Sequence, residues 1–213
     1  MLHWKMGEFS SSESEGEEEQ QENRPAPLRL DFITLYRLGL WENLALSALP
    51  GCRFRDVRRS LAADLTTILA AGITDVMVLL QPAELRRYRV PGLVEEYEKA
   101  GLGVVWRWWE DGAVPPEGEL QAAVEKARAV LGAGGRLLVH CYGGLGRTCL
   151  LAAALLLSLD PSLSPGRVVA LLREKRGPRA VQTVRQYNTI MEWRGPGQSS
   201  RGPSQDRSRS VSR

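Results

Sequence analysis

Cysteine and histidine are scarce in this chain: three of the first (Cys52, Cys141, Cys149) and two of the second (His3, His140) among 213 residues. An odd, irregularly spaced set of cysteines excludes a disulfide framework, and no Cys/His cluster supplies four metal ligands. No metal and no cofactor are expected, and a reducing compartment is the simplest address. That address is read as cytoplasmic, with the nucleus and its periphery as the other candidates. Long hydrophobic runs are lacking too. The start, MLHWKMGEFSSSESEGEEE, has no apolar stretch of signal-peptide length. The most apolar stretch, Cys149–Leu159, is 11 residues, short of the roughly 18 or more that cross a bilayer. It reads as a buried core helix, so no membrane association is expected. Strong charge of one sign is also missing, since 28 basic and 25 acidic residues leave +3. That balance alone does not argue for a specific nucleic-acid partner.

The charge that is present lies at the ends. Residues 1–27 carry seven acidic and two basic groups, and residues 194–213 carry five Arg and one Asp. Both ends are polar, poor in aromatics and rich in Ser, Glu, Gly or Pro, so they cannot offset the entropy of ordering. An acidic disordered tail (1–27), one folded domain (28–194) and a basic Ser/Arg tail (195–213) are therefore expected. No internal repeat is present, and a monomer is expected.

Within 28–194, strand-like and helix-like segments alternate. Strands are read at 28–35, 44–49, 73–80, 104–109 and 136–140. Helices are read at 57–71, with Val57, Leu61, Leu65, Ile68 and Leu69 on one face, and at 82–100 with a break at Pro91-Gly92. Further helices follow at 117–131, 147–159, 165–175 behind Ser164 and Pro165, and about 179–193. Alternation of this kind predicts an α/β fold with a central, mostly parallel sheet flanked by helices. Ligands bind such sheets where strands end and helices begin, which directs attention to the turn after His140.

That turn is HCYGGLGRT, residues 140–148. Its glycines (Gly143, Gly144, Gly146) let the backbone of Tyr142, Gly143, Gly144, Leu145 and Gly146 form a nest of N–H groups at a helix start, fit to cradle a tetrahedral dianion. Arg147 adds a planar fork matched to two phosphate oxygens. Cys141 lies in the same positive environment, which favours the nucleophilic thiolate. A thiolate facing a bound phosphoryl group points to transfer through a phosphocysteine. Thr148 can hydrogen-bond the sulfur as it leaves, and His140 supports the turn from behind. A leaving oxygen needs a proton from a carboxylic acid on a separate loop. Glu110 and Asp111 qualify, and Asp111 is preferred. Cys149 reads as a buried structural thiol rather than a redox partner of Cys141.

The H-C-x5-R-[ST] signature resembles that of the protein-tyrosine and dual-specificity phosphatase superfamily. ALPGCRFRDVRR (48–59), YRVPGL (88–93), VQTVRQYN (181–188) and the terminal SRSVSR are similar to its cyclin-dependent kinase-associated branch. The resemblance implies a cysteine-phosphatase fold with a five-stranded, parallel-rich sheet and helices on both sides. It implies hydrolysis of phosphotyrosine and phosphoserine/threonine, with a phosphorylated cyclin-dependent kinase as partner in cell-cycle control. It also implies Cys141 as nucleophile, Arg147 as clamp, Thr148 as the following hydroxyl and Asp111 as acid. Gln182 matches a segment that positions the attacking water, though an amide at a helix start fits the same place. One departure stands out: Trp106-Arg107-Trp108-Trp109 precedes the acid, where the family carries proline or a small residue. If these rings jam the loop, the chain is a weakly active or inactive pseudo-phosphatase that grips a phosphorylated kinase. A phosphoinositide or RNA phosphatase is disfavoured, because the turn interior has no extra cations.

Overall fold

The computed structural model describes residues 27–35 and 40–195. Apart from Pro27 and Gly195, the two expected tails lie outside the described residues. The fold is a five-stranded sheet in the order β1-β2-β5-β3-β4, comprising β1 (Asp31–Leu35), β2 (Leu40–Ser47), β3 (Asp75–Val78), β4 (Gly103–Trp106) and β5 (Leu137–His140). Only β1 runs antiparallel, against β2; the β2–β5, β5–β3 and β3–β4 pairs are parallel. The mixed, mostly parallel α/β sheet expected from the alternation is present.

The central strands are short apolar runs because both of their faces are covered. All four residues of β5 are buried, as are Val76, Met77 and Val78 of β3. Alternate side chains go to opposite layers. Leu44, Leu46, Met77, Leu137 and Val139 pack with Leu120, Val124, Ala127 and Leu131 of α4 (Glu117–Gly132) and with α5 (Arg147–Leu159), α6 (Pro165–Arg176) and α7 (Val184–Glu192). Ala45, Val76, Val78 and Leu138 meet Ile68 of α1 (Leu61–Ala70), Leu85 of α2 (Pro82–Arg87), and Leu93 and Tyr97 of α3 (Leu93–Lys99). The apolar run at 149–159 sits inside the first layer, buried continuously from Arg147 to Leu156. Among the described residues no helix is long and apolar enough to cross a membrane.

Two helix starts differ from the periodicity. The first helix begins at Leu61 rather than 57, because Ser60 caps it by accepting from the Ala63 N–H. Val57 therefore precedes the helix and is exposed, and Leu69 faces solvent. The last helix begins at Val184, where Thr183 and Gln186 form a reciprocal capping box. The expected Ser164 cap with Pro165 in the first turn is present.

Register sets the stage for chemistry. Ser47 pairs with His140, His140 with Val78, and Val78 with Trp106. The carboxyl ends of four parallel strands thus finish at one level, and the segments that follow them converge above the same edge.

Candidate active site

Residues 141–146 link β5 to α5, and their polar groups divide into two sets. The carbonyls are engaged from outside the turn. Tyr142 O accepts from the Leu49 N–H at 2.9 Å and Leu145 O from the Val181 N–H at 2.9 Å. Gly143 O and Gly144 O accept from the Arg176 guanidinium at 2.9 and 3.1 Å. The N–H groups of residues 142–146, by contrast, find no acceptor among the described residues. A row of unpartnered N–H groups at the start of a 13-residue helix is the makings of an anion nest. Gly144 makes the curl possible: its φ is +68°, and a Cβ there would run into the Ser47 carbonyl and the Arg176 guanidinium.

Arg176 is itself anchored. Its Nη1 meets Asp31 Oδ2 at 2.6 Å, with both side chains under a tenth exposed. Asp31 on β1 and Arg176 at the end of α6 therefore hold the outside of the turn. Sequence reasoning missed both, since nothing local marks them.

Arg147 is fully buried. Its Nη1 donates to the Leu79 carbonyl at 2.9 Å, the Trp109 carbonyl at 3.1 Å and Glu84 Oε2 at 2.7 Å, while Nη2 donates to Glu84 Oε1 at 2.8 Å. Burial works against its charge, but the hydrogen bond and charge of Glu84, helped by Cys141 and Asp111, more than offset this and raise its pKa. Glu84 was also missed. It serves twice, since Oε2 accepts from the Gln81 N–H at 2.9 Å and caps α2. Arg147 Nε and Thr148 Oγ1 are buried with no hydrogen-bond partner, and both belong to the turn that holds Cys141.

His140 lies buried at the start of the turn, but its ring does not bond the turn as expected, and its Nδ1 has no hydrogen-bond partner among the described residues. Its Nε2 lies 3.0 Å from the Tyr97 hydroxyl. Burial lowers its pKa to about 3, with Arg147's charge acting in the same sense and the Cys141 backbone opposing. It is neutral at physiological pH. Cys149 donates to the Gly144 carbonyl at 3.6 Å, and burial pushes its thiol up to about 12. It is a structural thiol.

The loop after β4 brings Asp111 to the same place. Asp111 Oδ1 lies 3.2 Å from Arg147 Nη2, with its side chain 58% exposed; Glu110 is exposed and forms no ion pair among the described residues. The three tryptophans do not jam the loop. Trp106 donates Nε1–H to the Leu80 carbonyl at 2.8 Å, Trp109 is buried in the core, and Trp108 is half exposed. The loop is tied down on its far side, where Thr183 Oγ1 donates to Gly112 O at 3.1 Å and Gln186 Nε2 to Ala113 O at 3.4 Å.

Gln182 lies against the turn: a Cβ added at Gly146 would sit 2.6 Å from Gln182 Oε1. The helix-start amide is Gln186, whose Oε1 accepts from the Gln182 and Thr183 N–H groups at 3.1 and 3.3 Å. Just before it Val181 holds φ +64°, a left-handed conformation that costs a β-branched residue on the order of 1–3 kcal/mol. Its N–H bond to Leu145 O holds it there. Among the described residues no group of three or more His, Cys, Asp or Glu could hold a metal ion.

Residues 3–169 match the family model of cyclin-dependent kinase inhibitor 3 (CDKN3). The chain belongs to that family. The rat cyclin-dependent kinase inhibitor 3 is 39% identical over 206 residues, covering 97% of this chain and 95% of the rat protein. A crystal structure of kinase associated phosphatase (KAP), with its catalytic-site cysteine substituted by serine, superposes with a TM-score of 0.75 at 38% identity, over 79% of this chain and 95% of that one. The active form of the phosphatase Tk-PTP gives 0.61 at 26% identity, over 78% and 97%. By fold and kinship the chain is an enzyme of the dual-specificity and protein-tyrosine phosphatase superfamily.

Proposed function

We propose that the chain hydrolyses phosphotyrosine and phosphoserine/threonine in a protein substrate, through a phosphocysteine on Cys141. One observation carries this reading. The turn that holds Cys141 uses up its carbonyls outside and leaves its N–H groups, Arg147 Nε and Thr148 Oγ1 without partners. Buried groups such as Arg147 Nε and Thr148 Oγ1 are costly without partners, and a phosphoryl group bound in the turn relieves that cost.

In the first step the Cys141 sulfur attacks phosphorus and the bond to the leaving oxygen breaks. Asp111 gives that oxygen its proton, while Arg147 and the nest hold the equatorial oxygens. Glu84 and the Leu79 and Trp109 carbonyls fix the guanidinium plane beforehand, so little reorganisation accompanies transfer. In the second step the Asp111 carboxylate takes a proton from water, the water oxygen attacks phosphorus, and the S–P bond breaks to return the thiolate. In this reading Thr148 hydrogen-bonds the departing sulfur, and Gln182, whose Oε1 lies against Gly146, orients the water. The names of the family and of the rat relative support a phosphorylated cyclin-dependent kinase as substrate. The direct test is a pull-down with Cys141→Ser from a lysate. Recovery of a phosphorylated cyclin-dependent kinase supports the reading, and equal recovery by a Cys141→Ser/Arg147→Ala chain contradicts it.

A further inference from the structure

A second concentration of positive charge lies beside the turn and is unused by the chemistry above. The segments 53–59 and 86–89 carry Arg53, Arg55, Arg58, Arg59, Arg86, Arg87 and Arg89. Arg53, Arg58, Arg59 and Arg89, with Ser60, line a pocket of about 370 Å³. Among the described residues, Arg59 alone of these four has an acidic partner. It forms a bidentate pair with buried Asp64 at 2.8 and 3.0 Å, and Asp64 also accepts from the Gly51 N–H at 2.8 Å. Arg53 and Arg58 bond only backbone carbonyls, and Arg89 has no ion pair among the described residues.

Repelling charges are held together here against the chain's own preferences. Arg55 and Arg89 both sit in the left-handed region, at φ +54° and +62°, which is uncommon for side chains of their size. The Arg53 N–H bond to Tyr88 O at 3.0 Å ties the two segments together, and the Arg59 N–H bond to Cys52 O at 2.9 Å closes the first one on itself. Ser60, at the pocket wall, caps α1, a helix of 10 residues whose positive end opens there. Converging guanidinium groups and a helix start are the chemistry of a phosphate site.

The pocket is coupled to the turn through aromatic rings. Phe54 and Tyr88, chain neighbours of Arg53 and Arg89, both pack on Tyr142. Tyr88 stacks on it at 4.3 Å, and Phe54 meets it edge-on at 6.1 Å. We propose that this pocket is a second anion site, which takes a phosphoryl group carried on the same phosphoprotein as the one hydrolysed. The inference rests on the phosphatase reading and names a feature of its substrate. A peptide suits the layout: Phe54 and Tyr88 lie between the pocket's arginines and Tyr142 of the turn, and a few extended residues can run past such rings. A lipid headgroup suits it less, since it places both phosphates on one small ring and needs an apolar rim. Around the pocket Val57 is the exposed large apolar side chain.

The test uses the full chain and three substrates: nitrophenyl phosphate, a phosphothreonine peptide, and the same peptide with a second phosphothreonine three to five residues away. The second phosphate is expected to lower KM about tenfold with kcat little changed, as one or two charge-assisted hydrogen bonds provide. The preference should fade with added salt. R53E/R58E should erase it while leaving nitrophenyl phosphate, which has nothing to place in the pocket, hydrolysed as before. Equal KM for the two peptides in the unmodified chain overturns the second site, whatever the variant does. Failure to hydrolyse nitrophenyl phosphate overturns the phosphatase reading instead. Stronger Arg53/Arg58-dependent binding to phosphoinositide vesicles than to the doubly phosphorylated peptide overturns the peptide assignment.

Discussion

Residues 140–148 and residues 107–116 both reach Arg147, yet the first segment is buried or half-buried throughout whereas the second exposes Trp108, Glu110 and Asp111. The turn is held by five hydrogen bonds to its carbonyls from β2's exit, from Arg176, from Val181 and from Cys149. The acid loop is held by its carbonyls as well, but through single bonds from Arg147, Thr183 and Gln186. Cys141 and Arg147 are thus built into the core, and Asp111 rides on a segment latched from two sides. Substitutions in the turn should abolish chemistry, and substitutions in the loop should grade it.

The largest effect is expected from Cys141→Ser, which should remove measurable turnover while the melting curve and vanadate binding persist, because the change is nearly isosteric. Arg147→Lys comes next, with a loss on the order of 10³-fold in kcat/KM on aryl and peptide substrates alike. A point-charge ammonium cannot satisfy Glu84 and two phosphate oxygens together. Asp111→Asn should lower hydrolysis of phosphothreonine peptides by about 10²-fold or more, but nitrophenyl phosphate far less, since that phenolate departs nearly unaided. Glu110→Gln should leave the ratio alone; if it shows the effect and Asp111→Asn does not, the donor is the neighbouring carboxylate. Thr183→Val cuts the Gly112 latch, worth about 1 kcal/mol, and also removes the cap of α7; kcat on peptides should fall roughly fivefold with the same leaving-group signature, while the lost cap should show as a lower melting temperature. Loss on both substrates equally would mean the latch supports the turn instead.

The smallest effect at neutral pH concerns His140. Its folded-state pKa is depressed to about 3 from an ordinary 6.5, so between these values the unfolded chain binds a proton that the folded chain refuses. Its contribution is fully present above about pH 6.5 and is lost as pH falls toward 3. Urea titrations across that window should show a steeper decline for the unmodified chain than for His140→Gln, which cannot protonate. Parallel declines would assign the acid sensitivity to the carboxylates.

The two regions also differ in how far they could be read from sequence. The turn is contiguous: strand, glycines, Arg147 and apolar helix follow one another, and each depends on its neighbours in the chain. Asp111 was reachable because one helix and one strand return the chain from the acid loop to the turn. Glu84, 63 residues from Arg147, was hidden because its sequence context explains it fully as the acid of a capping box behind Pro82. Arg176, Asp31 and the Trp109 carbonyl were hidden because their roles depend on strand order and on where an exposed-looking arginine meets a backbone oxygen. The helix boundaries at 61 and 184 were missed because apolar spacing ran past the caps, where Ser60 and Thr183 decided the start.

The central claim is that phosphorus passes through the Cys141 sulfur. Rapid mixing of the full chain with a phosphothreonine peptide, acid quenching within one turnover and peptide mapping by mass spectrometry test it directly. One phosphoryl group should appear on the peptide containing Cys141; with nitrophenyl phosphate as donor, whose phenolate leaves without the acid, it should persist longer in Asp111→Asn, where water is no longer activated. An enzyme that turns over without ever carrying phosphate on Cys141, or that carries it on another residue, would contradict the account.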